Sequence, residues 1–230
     1  MENKTFEEIT FEEITYEDVK QNKKVNAYIK KADESLSALG FTEHSFAHVT
    51  KVADVASRLL LMQGYSEREA ELARIAGYLH DIGNVINRVD HAQSGAVMAF
   101  RILDQMGAEP DDIATIITAI GNHDESTAFP VNAVAAALII ADKTDVRYTR
   151  VRNTDPTTFD IHDRVNYSVK EAAVDMEKDA YVQLRIRLDT SVCAVMDYFE
   201  IFLDRMVLCR KAAQKLGLEF YLVINDQRLL

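Results

Sequence analysis

A mainly α-helical domain followed by a small α+β unit is the fold class that this sequence of 230 residues predicts. Three observations lead there. Between about residues 19 and 142, apolar residues recur at spacings of three and four, the mark of amphipathic helices. Serine, threonine, glycine and proline punctuate that stretch where helix starts and stops belong. After residue 168 the period changes to two, in VKEAAVDM and AYVQLRIRL, before a long helical stripe and a last apolar run.

Taken in order, residues 1–14 read as an acidic surface lead-in in which FEEIT occurs twice before YEDVK, a repeat too short to build a solenoid. Thr15, with Asp18 three residues on, caps a first helix with an early break. Its stripe of Val19, Val25, Ile29, Ala32 and Leu36 ends at Gly40. A second helix begins after Thr42, carries Val49, Val52, Ala53, Ala56 and Leu60, and stops near Gly64. Ser66 and Glu69 form a capping box opening a third helix that runs to His80 and Asp81. The polar connection GNVINRVDH leads to a fourth helix from about Ala92 to Met106, and Gly107 stops it. Pro110, Asp111 and Asp112 suit the first turn of a fifth, closed by Gly121, and a sixth starts after Pro130 and ends around Asp142. Residues 15–145 thus form the helical domain.

Residues 146–168 are dense in Arg, Asn, Thr and Asp without a clean period, and read as a long, functional loop. Residues 169–230 then give a hairpin turning near Glu177 to Asp179, a helix from Ser191 to Leu216 and a strand at 218–224. This is a ββαβ unit whose helix covers one sheet face.

Composition narrows the function classes. With 37 acidic and 26 basic residues the formal net charge is −11, which argues against binding nucleic-acid polymers through a general basic surface. A small anionic ligand held by a local basic patch stays open. Cys193 and Cys209 fall 16 residues apart in one expected helix, over about 20 Å by the helical rise, too far to pair. A reducing cytoplasm fits. The longest apolar runs, such as AVAAALII at 133–140, fall short of the roughly 20 residues a membrane span needs, and the acidic N-terminus resembles no signal peptide. A cytoplasmic protein is expected, with homodimerisation left open.

The chemistry centres on AGYLHDIGN. His80 and Asp81 close an apolar run before Gly83, where burial and the negative end of the helix dipole both disfavour a carboxylate. A cation would relieve it; a hydrogen-bonded His–Asp pair at a helix end is the plainer alternative. Asp142 repeats the paradox after ALIIA, and His48, His91 and His123 sit at other helix ends or first turns. Imidazole and carboxylate together suit Mn, Fe, Zn or Co.

The order HVTKVA, LHDIGN, DHAQSG, GNHDE and IIADKTD, spanning about residues 43–145, resembles the HD superfamily of metal-dependent phosphohydrolases. The resemblance implies an HD-domain helical bundle in which His48, His80, Asp81 and Asp142 hold one divalent metal ion. His91 and His123 match the subgroup binding a second, with Asp81 as bridge, as in diadenosine tetraphosphate hydrolases and cyclic dinucleotide phosphodiesterases. It implies one or two ions per chain, from Mn, Fe, Zn, Co or Mg, with Asp81 and His80 at the catalytic centre. A water between two ions would attack a phosphoester or phosphoanhydride in a small phosphorylated, nucleotide-like substrate. Two departures separate this chain from the cyclic dinucleotide enzymes: Asn84 replaces the lysine of HDIGK, and Asn122 precedes His123 where they have a second histidine. The GYP signature is missing too. His44, one turn before His48, is a candidate ligand or substrate contact, against the commoner exposed helix-start histidine. His44 or Asp124 are the candidates for moving a proton. For substrate contacts the candidates are Asn84, Arg88, Lys143, Arg147, Arg150, Arg152 and Arg164, each of which has solvated or ion-paired surface charge or polarity as its ordinary alternative. The second HD pair, His162 and Asp163, lacks an apolar helix around it and is assigned to a loop or a site wall.

A metal-dependent binding or regulatory module without turnover is the rival reading, with the ββαβ unit mediating partner contact. A helical scaffold whose histidines only fill the core is the third.

Overall fold

The computed structural model describes residues 11–230, so residues 1–10 of the lead-in, with the first FEEIT copy, lie outside the described residues. Helix α1 (Tyr16–Gln21) opens on the expected Thr15–Asp18 capping box. The early break has a specific cause. Asn22 leaves helical geometry and caps α2 (Lys23–Ala38) by accepting from Lys24 and Val25. Helix α3 (Phe46–Gln63) is capped by Ser45, just after Thr42, and ends at left-handed Gly64, while α4 (Glu67–Leu79) opens on the Ser66–Glu69 box. A single 3-10 turn at Ile82–Val85 follows the HD pair. Then come α5 (His91–Gln105), α6 (Pro110–Gly121) and α7 (Ala133–Lys143), the last capped by Asn132.

Helix α7 is buried on almost every side, which explains its all-apolar AVAAALIIA face pattern. It packs against α3, α4 and α6, and on its remaining side against α9 (Val195–Lys215).

Residues 146–168 are not one loop. After a 3-10 turn at Tyr148–Arg150 and another at Pro156–Thr158, Asp160 caps α8 (Ile161–Ser168), which contains the second HD pair. The helix escaped the periodicity argument because it is only 8 residues long and buries just Val165, Asn166 and Ser168. The hairpin is as expected, β1 (Val169–Glu177) antiparallel to β2 (Tyr181–Leu188). Strand β3 (Glu219–Ile224) runs parallel to β2, so α9 is the crossover that a parallel pair requires. A short β4 (Gln227–Arg228) adds a fourth strand and makes the unit ββαββ. Val182, Leu184, Ile186 and Leu188 of β2 and Phe220, Leu222 and Ile224 of β3 are all buried. They share that core with Phe202, Met206 and Cys209 of α9.

Because α9 starts at Val195, Cys193 precedes it and the two cysteines do not share a helix; both are free thiols. Among the described residues, no helix is long and apolar enough to cross a membrane.

Candidate metal centre

Five elements deliver the polar side chains to one point. His48 comes from the first turn of α3, His80 and Asp81 from the end of α4, His91 from the start of α5, His123 from just past α6 and Asp142 from the last turn of α7. The four histidines are buried. Close helix and turn contact makes this possible: a Cβ on Gly83 would fall against the His91 carbonyl and the Gly95 backbone nitrogen, so only glycine lets the turn after the HD pair reach α5.

The imidazoles are oriented alike. His80 Nδ1 donates to the Gly77 carbonyl at 2.8 Å, His91 Nδ1 to Arg88 at 3.1 Å and His123 Nδ1 to Ile120 at 2.6 Å. His48 Nδ1 donates instead to Asp145 Oδ2 at 2.8 Å. With every Nδ1 carrying a proton, each ring in its neutral form turns its Nε2 lone pair inward, that of His91 with Arg88 Nη1 3.3 Å away. His48 and His80 then face each other Nε2 to Nε2 at 3.3 Å, and His91 and His123 at 3.2 Å. Two lone pairs at that distance repel unless a proton or a cation sits between the rings.

Asp81 lies between the two pairs. Its Oδ2 is 3.2 Å from His80 Nε2 and 3.6 Å from His48 Nε2, and it is buried without a hydrogen-bond donor. Oδ1 is 3.6 Å from His91 Nε2 and accepts from Asn84 Nδ2 at 2.9 Å. Asp142 Oδ1 stands 3.4 Å from His48 Nε2 and 3.7 Å from His80 Nε2. Two compact ligand groups emerge, His48–His80–Asp142 and His80–Asp81–His123. The orphaned Asp81 oxygen, the facing lone pairs and the mixed imidazole–carboxylate donor set all fit divalent metal.

Burial opposes a charge on His80, but Asp81 and Asp142 outweigh it and raise that imidazole, while the other shifted groups at the centre move in the direction a cation needs. Burial alone would raise the Asp81 carboxyl, but His80 beside it overrides this and holds it well below the usual carboxylate range. Burial likewise opposes the Asp142 charge, and Lys143 at 2.6 Å holds that carboxyl down. Burial, then the neighbouring His80 charge, pushes the His123 imidazole well below its ordinary value, leaving the neutral form a metal needs. His91 is lowered by burial in the same direction.

A cavity of about 20 Å³ at this cluster adjoins a larger one of about 200 Å³. His44, Arg88, Arg150 and Arg205 line both. The substrate candidates therefore separate. His44 stands at the junction, its ring edge-on to His48 at 5.5 Å and its Nδ1 bonded to the Thr42 carbonyl at 2.7 Å. Burial, aided by Arg150, keeps it neutral. Arg88 and Arg150 face the cavity. Lys143 is buried at its edge, neutralised by Asp142 and by Glu125 at 3.2 Å. Asn84 is spent on Asp81, donating to both its carboxylate and its carbonyl. Arg147 turns away to Glu43 and Asp145, each at 3.0 Å, Arg152 pairs with Asp33, and Arg164 lines neither cavity. Asp124 reaches His91 only at 4.0 Å.

Several site residues were not among those singled out by sequence. Asp145 orients His48, Glu125 binds Lys143, and Arg205 with Phe202 enters from α9. Asp145 had a local signal, lying one turn after Asp142 in IIADKTD. Arg205 had none, because only packing of α9 on α7 brings it there. His162 and Asp163 line the larger cavity, as a site wall carried by α8.

Residues 45–147 match the HD domain family model. The chain is similar to an uncharacterized protein of Methanocaldococcus jannaschii, 25% identical over 199 residues that cover 73% of this chain and 73% of the relative. It also matches the crystal structure of a predicted HD superfamily hydrolase from an uncultured Thermotogales bacterium. That match has 25% identity and a TM-score of 0.43, covering 54% of this chain and 67% of the other.

Proposed function

We propose that this chain, which belongs to the HD superfamily through its domain at residues 45–147, is a metal-dependent phosphohydrolase acting on a small phosphorylated, nucleotide-like substrate. The observation that carries the reading is the pairing of inward Nε2 lone pairs about Asp81 beside a cavity lined by arginines. His48, His80, Asp81 and Asp142 would hold one ion. Asp81, His91 and His123 would hold a second, since Asp81 Oδ2 faces His48 and His80 while Oδ1 faces His91, whose Nε2 meets that of His123. The imidazole share of the donor set favours Mn, Fe, Co or Zn over Mg.

A divalent ion in that place supplies an activated water and Lewis-acid polarisation of a phosphoryl oxygen. The chain's own groups do the rest. Arg88 and Arg150 offer guanidinium donors to substrate oxygens, the fork geometry suited to phosphate. Arg150 spends its Nε on the Glu43 carbonyl and one Nη on the Asp145 carbonyl, at 2.9 Å each, and stands 3.8 Å from the Asp145 carboxylate, so its charge is oriented and shared with that acid. His44, neutral and at the cavity junction, is placed to accept a proton.

The test is protein reloaded with Mn or Fe, assayed on a generic phosphodiester and a nucleotide panel. Turnover that Asp81→Ala abolishes supports the reading. Inactivity across the panel with tight ligand binding retained would favour the regulatory module, and a protein in which elemental analysis finds no metal would refute both.

A further inference from the structure

We infer that Arg205, delivered by α9 from outside the HD domain, is a substrate-phosphate contact of the centre, held in place by Glu125 and Lys143. The inference rests on the phosphohydrolase reading above and deepens it by assigning a binding residue to the C-terminal unit.

Arg205 lines both the small cavity at the metal ligands and the larger one beside it. Its neighbours fix its direction. Nε lies 2.5 Å from Glu125 Oε1 as an ion pair without aligned hydrogen bonding, and the guanidinium carbon sits 4.8 Å over the buried Phe202 ring. Glu125 is held in turn by Lys143 at 3.2 Å, and Lys143 contacts the ligand Asp142 at 2.6 Å. The chain Arg205–Glu125–Lys143–Asp142 thus ties α9 to the end of α7.

The donor count points to a ligand. Beyond the Nε contact with Glu125, no acceptor among the described residues engages the Arg205 Nη groups, and the side chain, 29% exposed, lines the cavity. The charge balance agrees. Glu125 and Asp142 are matched by Lys143 and Arg205, while Arg88 meets only the neutral Asn84 and His91. At the small cavity Arg88, Lys143, Arg150 and Arg205 stand against Asp81 and Asp142, so a phosphate there meets more cations than acids, with the Arg205 fork preorganised, while Asp145, Asp160 and Asp163 line the larger cavity outside it.

The probe is inorganic phosphate, titrated calorimetrically into the Mn-loaded full chain. Arg205→Gln should weaken phosphate binding by about ten- to a hundredfold, the worth of a charge-assisted pair, with metal content and melting temperature unchanged. Arg205→Lys should restore only part of the loss, since it keeps the charge and not the fork. Glu125→Gln should give an intermediate loss by freeing the guanidinium, and it carries the test should Arg205→Gln fail to fold. Unchanged phosphate affinity in the Arg205 variants overturns the assignment, as does a wild type that binds no phosphate. Unchanged affinity in Glu125→Gln overturns the anchoring. The phosphohydrolase reading fails on a different measurement, the absence of turnover, which leaves phosphate affinity free to be read.

Discussion

Replacing Asp145 by Asn probes whether the histidine tautomers are set for a metal. The Asp145 side chain is fully buried; its Oδ2 accepts from His48 Nδ1 at 2.8 Å, while Oδ1 accepts from Lys51 at 2.8 Å and Arg147 at 3.0 Å. Asparagine fills the same volume but has one acceptor oxygen. Turned toward His48, it sets its NH2 against two cations. Turned toward the cations, it sets its NH2 against His48 Nδ1–H. Oδ1 takes the two short charged contacts, whereas Oδ2 takes the neutral His48 donor and only long contacts from Arg147 at 3.4 Å and Arg150 at 3.8 Å, so the second orientation wins and His48 must move its proton to Nε2. The lone pair that faces His80 at 3.3 Å is then lost. Removing such an orienting partner lowers metal affinity by about 10–100-fold, or about 1.4–2.8 kcal/mol. The assay is chelator competition with Mn and Zn, with circular dichroism to confirm folding. The loss should fall on the ion held by His48, His80 and Asp142, leaving the His91–His123 side nearer wild type. An Asp145→Asn protein with wild-type affinity and stoichiometry would refute the tautomer argument.

Gly83→Ala should lower stability by about 1–3 kcal/mol, read as a drop in melting temperature, because the new methyl meets the backbone of His91 and Gly95 rather than a yielding side chain. The same variant should lose metal from the His91 side, measured by elemental analysis. Glu43→Gln should destabilise by about 1–2 kcal/mol at neutral pH, since Glu43 accepts from Ser45 and from Arg147 at 3.0 Å. Burial opposes the Glu43 charge, but Ser45 and Arg147 hold its carboxyl below the ordinary 4.5. The unfolded chain therefore binds the extra proton first, and the stabilisation is fully present above 4.5 and lost as pH falls through the lowered value. Urea titrations of wild type and variant should converge on acidification below 4.5; a gap that widens there would contradict the pairing.

Helices were legible where local chemistry and period agree. The Thr15 and Ser66 capping boxes, Pro110 at a first turn and Gly64 at a helix end each state their role within four residues, and the structure places each there. Strand β2 announced itself because one of its faces is buried and the other is not. Helix α8 was hidden for the opposite reason. It earns its place through the Asp160 cap and two buried polar residues, Asn166 and Ser168, which leave no apolar stripe to count.

The centre itself divides along the same line. His80, Asp81 and Asp142 stood out because an acid at the C-terminal end of an apolar helix is costly without a counter-charge, and that cost is visible in one short window of sequence. What orients them is visible only in space. The Nδ1 of His80, His91 and His123 is bound by a carbonyl three residues earlier, a local contact, whereas that of His48 is bound by Asp145 from 97 residues away. Only one of the four imidazoles therefore depends on a distant carboxylate for its orientation, and substitution at Asp145 should disable one half of the centre before the other.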